Sequence, residues 1–168
     1  MLGVKKGGLS ALVVAGLIGL LGMSAAAFEP ADGLPKGVIG YQVNGSFDDV
    51  IFSLETAIIN KGLVIDYVAH IGDMLGRTAD DVGGKPLYAN AQSMLFCSAA
   101  LSRKVMEADP GTIAYCPYSV FVYELSDEED NVIVGYRPLP RSGGDDLISA
   151  VREVNALLDS IVLETVSE

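Results

Sequence analysis

Segments rich in β-branched residues alternate with segments of helical periodicity along this chain, and no other feature of the sequence limits its fold as strongly. Residues 38–43 and 63–71 carry the β-branched and aromatic side chains that are typical of strands. Residues 47–61, between them, repeat apolar side chains at helical spacing. Ser46 can cap this helix and Gly62 can end it. The pattern predicts a strand–helix–strand unit at the start of the fold.

The alternation continues through the middle of the chain and ends in a hairpin. The further predicted elements are a short helix, a strand, a helix and two hairpin strands, at residues 73–82, 91–97, 99–108, 118–125 and 132–136. This order predicts an α/β (α+β) fold with a single small mixed sheet and helices packed on one of its faces.

The last 28 residues, 141–168, read as a short linker followed by a C-terminal amphipathic helix. Its apolar positions are spaced by four and three residues in turn, and they are Leu147, Val151, Val154, Leu158 and Ile161. Two interpretations stay open. This seam packs on the protein's own sheet, or it forms the contact of a homodimer, although fewer than three heptads are short for an independent coiled coil.

The N-terminus has the three parts of a secretory signal peptide. Lys5 and Lys6 precede the apolar stretch 9–23, and the small residues 24–27 follow it. We therefore expect residues 1–27 to be cleaved and the protein to be exported to the periplasm, after which no membrane association is expected. The alternative is an uncleaved N-terminal membrane anchor, because the uncharged stretch approaches the length of a span. Residues 28–37 form an extended lead-in to the fold.

The charge balance excludes one large class of function. The chain has 22 acidic and 11 basic residues and a net charge of −11. Signal cleavage would remove two lysines and no acidic residue, so the charge would become −13. A nucleic-acid-binding protein needs clustered lysine and arginine to neutralise phosphates. We therefore expect no nucleic-acid partner.

Several segments together resemble a known family. They are FDDVIFSLETAIINKGLVIDYVAHIGDML, MLFCSAALSRKVMEADP, YCPYSVFVYE and VIVGYRPLP, and they occur in this order. The chain resembles the domain-of-unknown-function 302 family over about residues 38–140. The resemblance implies a compact α/β domain and self-association, and it supplies no activity, cofactor or catalytic residue. It leaves residues 141–168 outside the domain.

Two cysteines are the residues most open to chemistry. Cys97 ends the third predicted strand and Cys116 precedes the fourth. In an exported protein, a disulfide is the first expectation for such a pair. Two inert buried thiols, or a reactive or metal-binding pair, remain as alternatives. The lone histidine, His70, could join them as a third ligand, since thiolates and imidazole suit copper, zinc or haem iron.

Aromatic and basic residues near the predicted hairpin indicate a ligand pocket. Tyr115 and Tyr118 flank Cys116, and Arg137 follows the last strand. Together these side chains could hold a small anionic or aromatic ligand. The chain contains no nucleophile elbow, zinc-protease motif, phosphate-binding loop or dinucleotide fingerprint. The sequence therefore favours an exported, acidic, self-associating binding or accessory module over an enzyme, with no assigned cofactor. The alternative is a periplasmic redox, metal or haem protein.

Overall fold

A computed structural model describes residues 30–128 and 131–167. The proposed signal peptide, residues 1–27, lies outside this part of the chain. The strands are β1 (Ile39–Asn44), β2 (Ile65–His70), β3 (Tyr88–Phe96), β4 (Tyr118–Leu125) and β5 (Asn131–Tyr136). The helices are α1 (Phe47–Asn60), α2 (Ile71–Val82), α3 (Ala99–Ala108) and α4 (Asp145–Val166), with a 3-10 helix at Pro110–Tyr115.

The strands form one five-stranded sheet in the order β1-β5-β4-β3-β2. This confirms the predicted class, a single sheet with helices and a C-terminal helix. Every described strand pair is antiparallel. The prediction of a mixed sheet is therefore wrong. The alternation of strands with helices predicted a mixed sheet, in which some neighbouring strands would be parallel. Instead, β1 and β2 lie at opposite edges of the sheet, and α1 crosses the sheet between them.

Local signals account for the ends of α1 and α3. The Ser46 side chain accepts a hydrogen bond from the Asp49 amide at the start of α1, and Ser98 caps α3 in the same way through Leu101. Gly62, which follows α1, has a φ of 72°, a conformation that favours glycine. These caps lie where the sequence predicts them for α1.

One face of the sheet carries the core. Helices α1 and α4 pack on this face, and α3 packs against α4. The completely buried side chains come from both layers, and they include Leu54, Ile58, Met94, Phe96, Val120, Val134, Val154 and Leu158. Alternate residues of the strands supply the sheet's share, as expected for a sheet with one covered face.

The seam of α4 belongs to this core. All five of its residues are buried, from Leu147 at 9% exposure to Ile161 at 0%. The first interpretation of the seam is therefore correct, and the dimer contact through it is wrong, because these side chains already pack inside one chain. Within the described residues, no helix is both long enough and apolar enough to cross a membrane.

Helix α2 behaves differently from the other helices. It follows β2 directly, and the backbone of Gly72 lies against that of Ala91 in β3. None of its residues is buried, although Leu75 and Val82 lie on one apolar stripe. The helix therefore packs beside the sheet and leaves that stripe open.

Candidate functional site

A large cavity lies where α4 passes the segment that follows β5. It has a volume of about 920 Å³. Its charged lining residues are Lys36, Arg137, Arg141, Arg152 and Asp159. We call this space the cationic cavity. Tyr115, Leu139 and two prolines complete its less polar walls.

A buried asparagine fixes two of these walls to each other. Asn155 of α4 accepts a hydrogen bond from the Leu139 amide at 2.8 Å and donates one to the Leu139 carbonyl at 3.0 Å. Asn155 is 5% exposed, so both bonds are shielded from water. The pair holds the segment with Arg137 and Arg141 on either side of Leu139 against the helix that carries Arg152.

The lead-in to the fold positions Lys36, the basic residue of the cavity that lies before β1. Ala31 donates its amide to the Gly40 carbonyl at 2.9 Å, which ties the start of the lead-in to β1. A Cβ at Gly40 would lie 2.8 Å from Cδ1 of Leu34, so glycine lets the lead-in pass close to the strand. This path brings Lys36 to the edge of the cationic cavity.

Among the described residues, the basic side chains of the cavity have no ionic partner. Elsewhere, Lys61, Arg103 and Lys104 pair with glutamates. Over the described ranges, no carboxylate oxygen lies within 4 Å of the charged nitrogens of Lys36, Arg137, Arg141 or Arg152. The cavity therefore presents four positive charges to solvent or to a ligand.

Asp159 is held by a tyrosine at the wall of the cavity. The Tyr136 hydroxyl donates a hydrogen bond to its carboxylate at 3.1 Å. Burial, and then the charge of Asp159, raise the pKa of Tyr136 above its usual value of 10. The same two causes raise the pKa of Tyr41. Both phenols are therefore neutral at physiological pH and can act as donors.

The structure brings together the three residues of the predicted ligand pocket. Tyr115, Tyr118 and Arg137 line a cavity of about 340 Å³, and Tyr115 and Arg137 also line the cationic cavity beside it. Tyr118 is buried, and its hydroxyl accepts a hydrogen bond from Ser102 at 3.1 Å. Of the three, Tyr115 and Arg137 are therefore the ones placed to meet a ligand in the larger space.

The two cysteines are joined in the structure. Cys97 and Cys116 form a disulfide with Cα atoms 6.3 Å apart, a separation that suits such a bond. The bond links the residue after β3 to the residue after the 3-10 helix, which carries Tyr115 at its last position. It therefore closes a loop that ends at the wall of both cavities.

His70 does not join the cysteines, so the predicted metal-ligand set of three residues is not assembled. His70 pairs with Gln92, five residues before Cys97 along β3, which corresponds to roughly 16 Å at the usual strand rise. Its side chain is exposed and lies 4.0 Å from Asp73. In the part of the chain that the structure describes, no cluster of three metal-ligating residues occurs. The spacing of residues along the sequence could not reveal which end of β2 would face the disulfide.

Sequence reasoning missed most of the cationic cavity. It named Arg137 but not Lys36, Arg141, Arg152 or Asp159. The sequence carries two signals for Arg141, Arg152 and Asp159: Arg137 and Arg141 enclose three residues with two prolines, and Arg152 and Asp159 are seven residues apart on one helix. Neither signal says that the two pairs meet, because that depends on the packing of α4 across β5.

The fold and site define a small α/β domain with one antiparallel sheet, a disulfide and a cationic cavity. The family model described as "Domain of unknown function DUF302" matches residues 39–164. The chain therefore belongs to the DUF302 family, and the match extends into α4 as far as residue 164, beyond the expected boundary at residue 140. The core explains the difference, because α4 supplies nine buried residues to it.

A solved structure of the family has a similar fold. It is the crystal structure of an uncharacterized conserved DUF302 protein from Bacillus stearothermophilus, with 12% sequence identity and a TM-score of 0.63. The similarity covers 78% of this chain and 99% of the other. No curated protein sequence matches the chain significantly. The likeness supports the fold and carries no statement about activity.

Proposed function

We propose that this protein is an exported binding module that holds a small anionic ligand in the cationic cavity. The observation that carries the proposal is the grouping of Lys36, Arg137, Arg141 and Arg152 around one space, without carboxylate partners among the described residues. The chain as a whole carries twice as many acidic as basic residues. Four positive charges grouped in an acidic protein repel one another, and a bound anion would neutralise them.

Electrostatics and shape both favour such a ligand. The cavity volume of about 920 Å³ lies in the range of small-molecule sites. Three of its four bases are arginines, whose planar side chains can bind carboxylate or phosphate oxygens with two hydrogen bonds. The clasp between Asn155 and Leu139 keeps the walls in place before the ligand arrives, which limits the ordering cost of binding.

The alternative role, a redox, copper, zinc or haem protein, has less support. Cys97 and Cys116 are bonded to each other, so neither offers the thiolate that a metal requires. His70 lies at the far end of β2 from them. The disulfide supports export instead, since such bonds persist in oxidising compartments such as the periplasm. Export itself follows from residues 1–27 and remains part of the proposal.

Self-association is a further part of the proposal, and it has a different surface from the one first considered. The open apolar stripe of α2, with Leu75 and Val82, fits a second copy of the chain better than the buried seam of α4 does. Light scattering after gel filtration should give a dimer mass for the wild type and a monomer mass for Leu75→Glu. A dimer in both would reject this surface.

The binding proposal can be tested by calorimetry with glutarate, a small dicarboxylate, at an ionic strength of about 0.1 M, where the Debye length is about 10 Å. Arg152→Gln should weaken glutarate binding by about tenfold, which corresponds to about 1.4 kcal/mol. Arg77→Gln makes the same charge change on α2, outside the cavity, and serves as the control. It should leave the affinity within about twofold of the wild type, because exposed charges beyond about 10 Å are screened.

Two results would overturn the binding proposal. One is an equal loss of affinity in Arg152→Gln and Arg77→Gln, which would mean that net charge alone attracts the anion. The other is the absence of measurable glutarate and phosphate binding to the wild type. Added salt should weaken true binding in the cavity progressively, because arginine–carboxylate contacts at its open side are screened.

A further inference from the structure

One acidic residue lies within the cationic cavity. Asp159 is the single carboxylate among the described residues that line it, beside four bases. Its position makes the cavity dipolar rather than uniformly positive. A site meant for anions alone would gain affinity by losing this residue, because a negative charge in the wall repels an anionic ligand.

Arg152 and Asp159 lie on the same face of α4. They are seven residues apart, close to two helical turns, so they are separated by about 10.5 Å along the helix axis. This face therefore carries a positive charge at Arg152 and a negative charge at Asp159. Asn155 lies between them, and its amide is already hydrogen-bonded within the protein, to Leu139.

Asp159 has hydrogen-bonding capacity left for a ligand. A carboxylate offers about four acceptor positions; the Tyr136 hydroxyl uses one of them, and the Tyr41 hydroxyl, which also interacts with this carboxylate, takes at most one more. The residue is half-buried and opens to the cavity. No basic side chain in the described ranges forms an ion pair with it, although several line the same cavity. Asp159 is therefore poised to accept a hydrogen bond from an ammonium group.

We infer that the ligand is an amino-carboxylate, a small molecule with both an anionic group and a protonated amine. This inference rests on the proposed binding function and names the class of ligand. The anionic group binds Arg152 with Arg137 or Arg141, and the ammonium group binds Asp159. Tyr136 holds the Asp159 carboxylate in position for that contact.

A matched pair of probes separates this ligand class from simple anions. L-Glutamate and glutarate carry the same two carboxylates and differ by one ammonium group, so glutarate has the larger net negative charge. Attraction to the four bases alone would favour glutarate. An ammonium contact with Asp159 reverses this order, and wild-type protein should bind glutamate at least about fivefold more tightly in calorimetry.

The decisive variant is Asp159→Asn, which keeps the side-chain shape and an oxygen that can accept from Tyr136. It should abolish the preference for glutamate and leave glutarate binding equal or tighter. Asp146→Asn, in the exposed first turn of the same helix, makes the same charge change outside the cavity and should keep the wild-type preference. Thermal melting of each variant shows that the fold is retained.

The outcomes distinguish the two proposals. Wild-type protein that binds glutarate as tightly as glutamate would overturn the amino-carboxylate assignment and leave the anion site standing. A preference for glutamate that survives in Asp159→Asn would also overturn it, because another group would then bind the amine. If neither probe binds, both proposals fail.

Discussion

The two polar flanks of α4 use their charges in opposite ways. On one flank, Glu153 pairs with Lys104 of α3, and Glu164 pairs with Lys61 at the end of α1 at 2.7 Å. On the other flank, Arg152 has no carboxylate partner in the described chain and lines the cationic cavity. Arg152 and Glu153 are therefore adjacent in sequence, but of the two only Glu153 has an ion-pair partner among the described residues.

This difference suggests that one flank of α4 stabilises the fold and that the other binds the ligand. The paired flank connects α4 to two neighbouring helices, and exposed pairs of this kind contribute about 0–1 kcal/mol each. The open flank contributes little to folding and keeps its charge available. Between the flanks, the buried seam supplies most of the free energy that holds the helix on the sheet. The predictions below test whether the three roles are separate.

The largest effect should come from the seam. Leu158→Ala removes a completely buried side chain and leaves a cavity, so the free energy of unfolding should fall by about 2–5 kcal/mol. Urea denaturation measures this loss. Leu157→Ala, at a half-buried position next to it, is the control and should cost clearly less. Equal losses in the two variants would contradict the assignment of the seam to the core.

The disulfide should have the next largest effect. It closes a loop between residues 19 apart, for which the chain-entropy model gives about 3 kcal/mol. The double variant Cys97→Ser with Cys116→Ser should melt at a lower temperature than the oxidised wild type. Wild-type protein treated with a dithiol reductant should melt close to the double variant. An unchanged melting temperature would reject a stabilising role for the bond.

Alkaline pH should test the tyrosine that holds Asp159. The pKa of Tyr136 is raised in the folded state, so above pH 10 the unfolded chain loses this proton while the folded chain keeps it. Stability that is present below pH 10 is therefore lost as the pH rises further. Tyr136→Phe should lose about 1 kcal/mol at neutral pH through the missing hydrogen bond.

The same variant should show a shallower decline above pH 10 than the wild type. Denaturation at neutral pH and at two pH values above 10 measures both slopes. Identical slopes would mean that Tyr136 does not contribute to the alkaline loss of stability.

The smallest effect should distinguish the flanks directly. Glu153→Gln breaks the exposed pair with Lys104 and should lower the free energy of unfolding by at most about 1 kcal/mol, without changing glutarate affinity. Arg152→Gln, one residue away, should leave stability nearly unchanged and weaken binding. A variant that altered both properties would show that the two flanks are not independent.

The elements of the fold were predictable because they depend on local patterns. The cap at Ser46, the glycine at 62 and the spacing of the α4 seam are each encoded within a few residues. The direction of the strands was not predictable in this way. It depends on β1 and β2 taking opposite edges of the sheet, a choice made by the packing of the whole chain.

The candidate site was only partly predictable for the same reason. Tyr115 and Arg137 were found because both lie near the hairpin in sequence. Lys36 and Arg152 come from the lead-in and the last helix, and only the folded chain brings them to the same cavity. His70 illustrates the opposite case, in which a residue chosen for its chemistry lies far from its intended partners.

The central claim is that an anion binds in the cationic cavity, and an NMR titration of isotope-labelled protein with glutarate tests it most directly. The account predicts saturable shifts of the backbone amides of Arg137, Arg141 and Arg152, with the amide of Arg77 on α2 unmoved. It also predicts that these shifts disappear in Arg152→Gln at the same glutarate concentration. Shifts centred on α2, or no saturable shift at the three cavity arginines, would contradict the account.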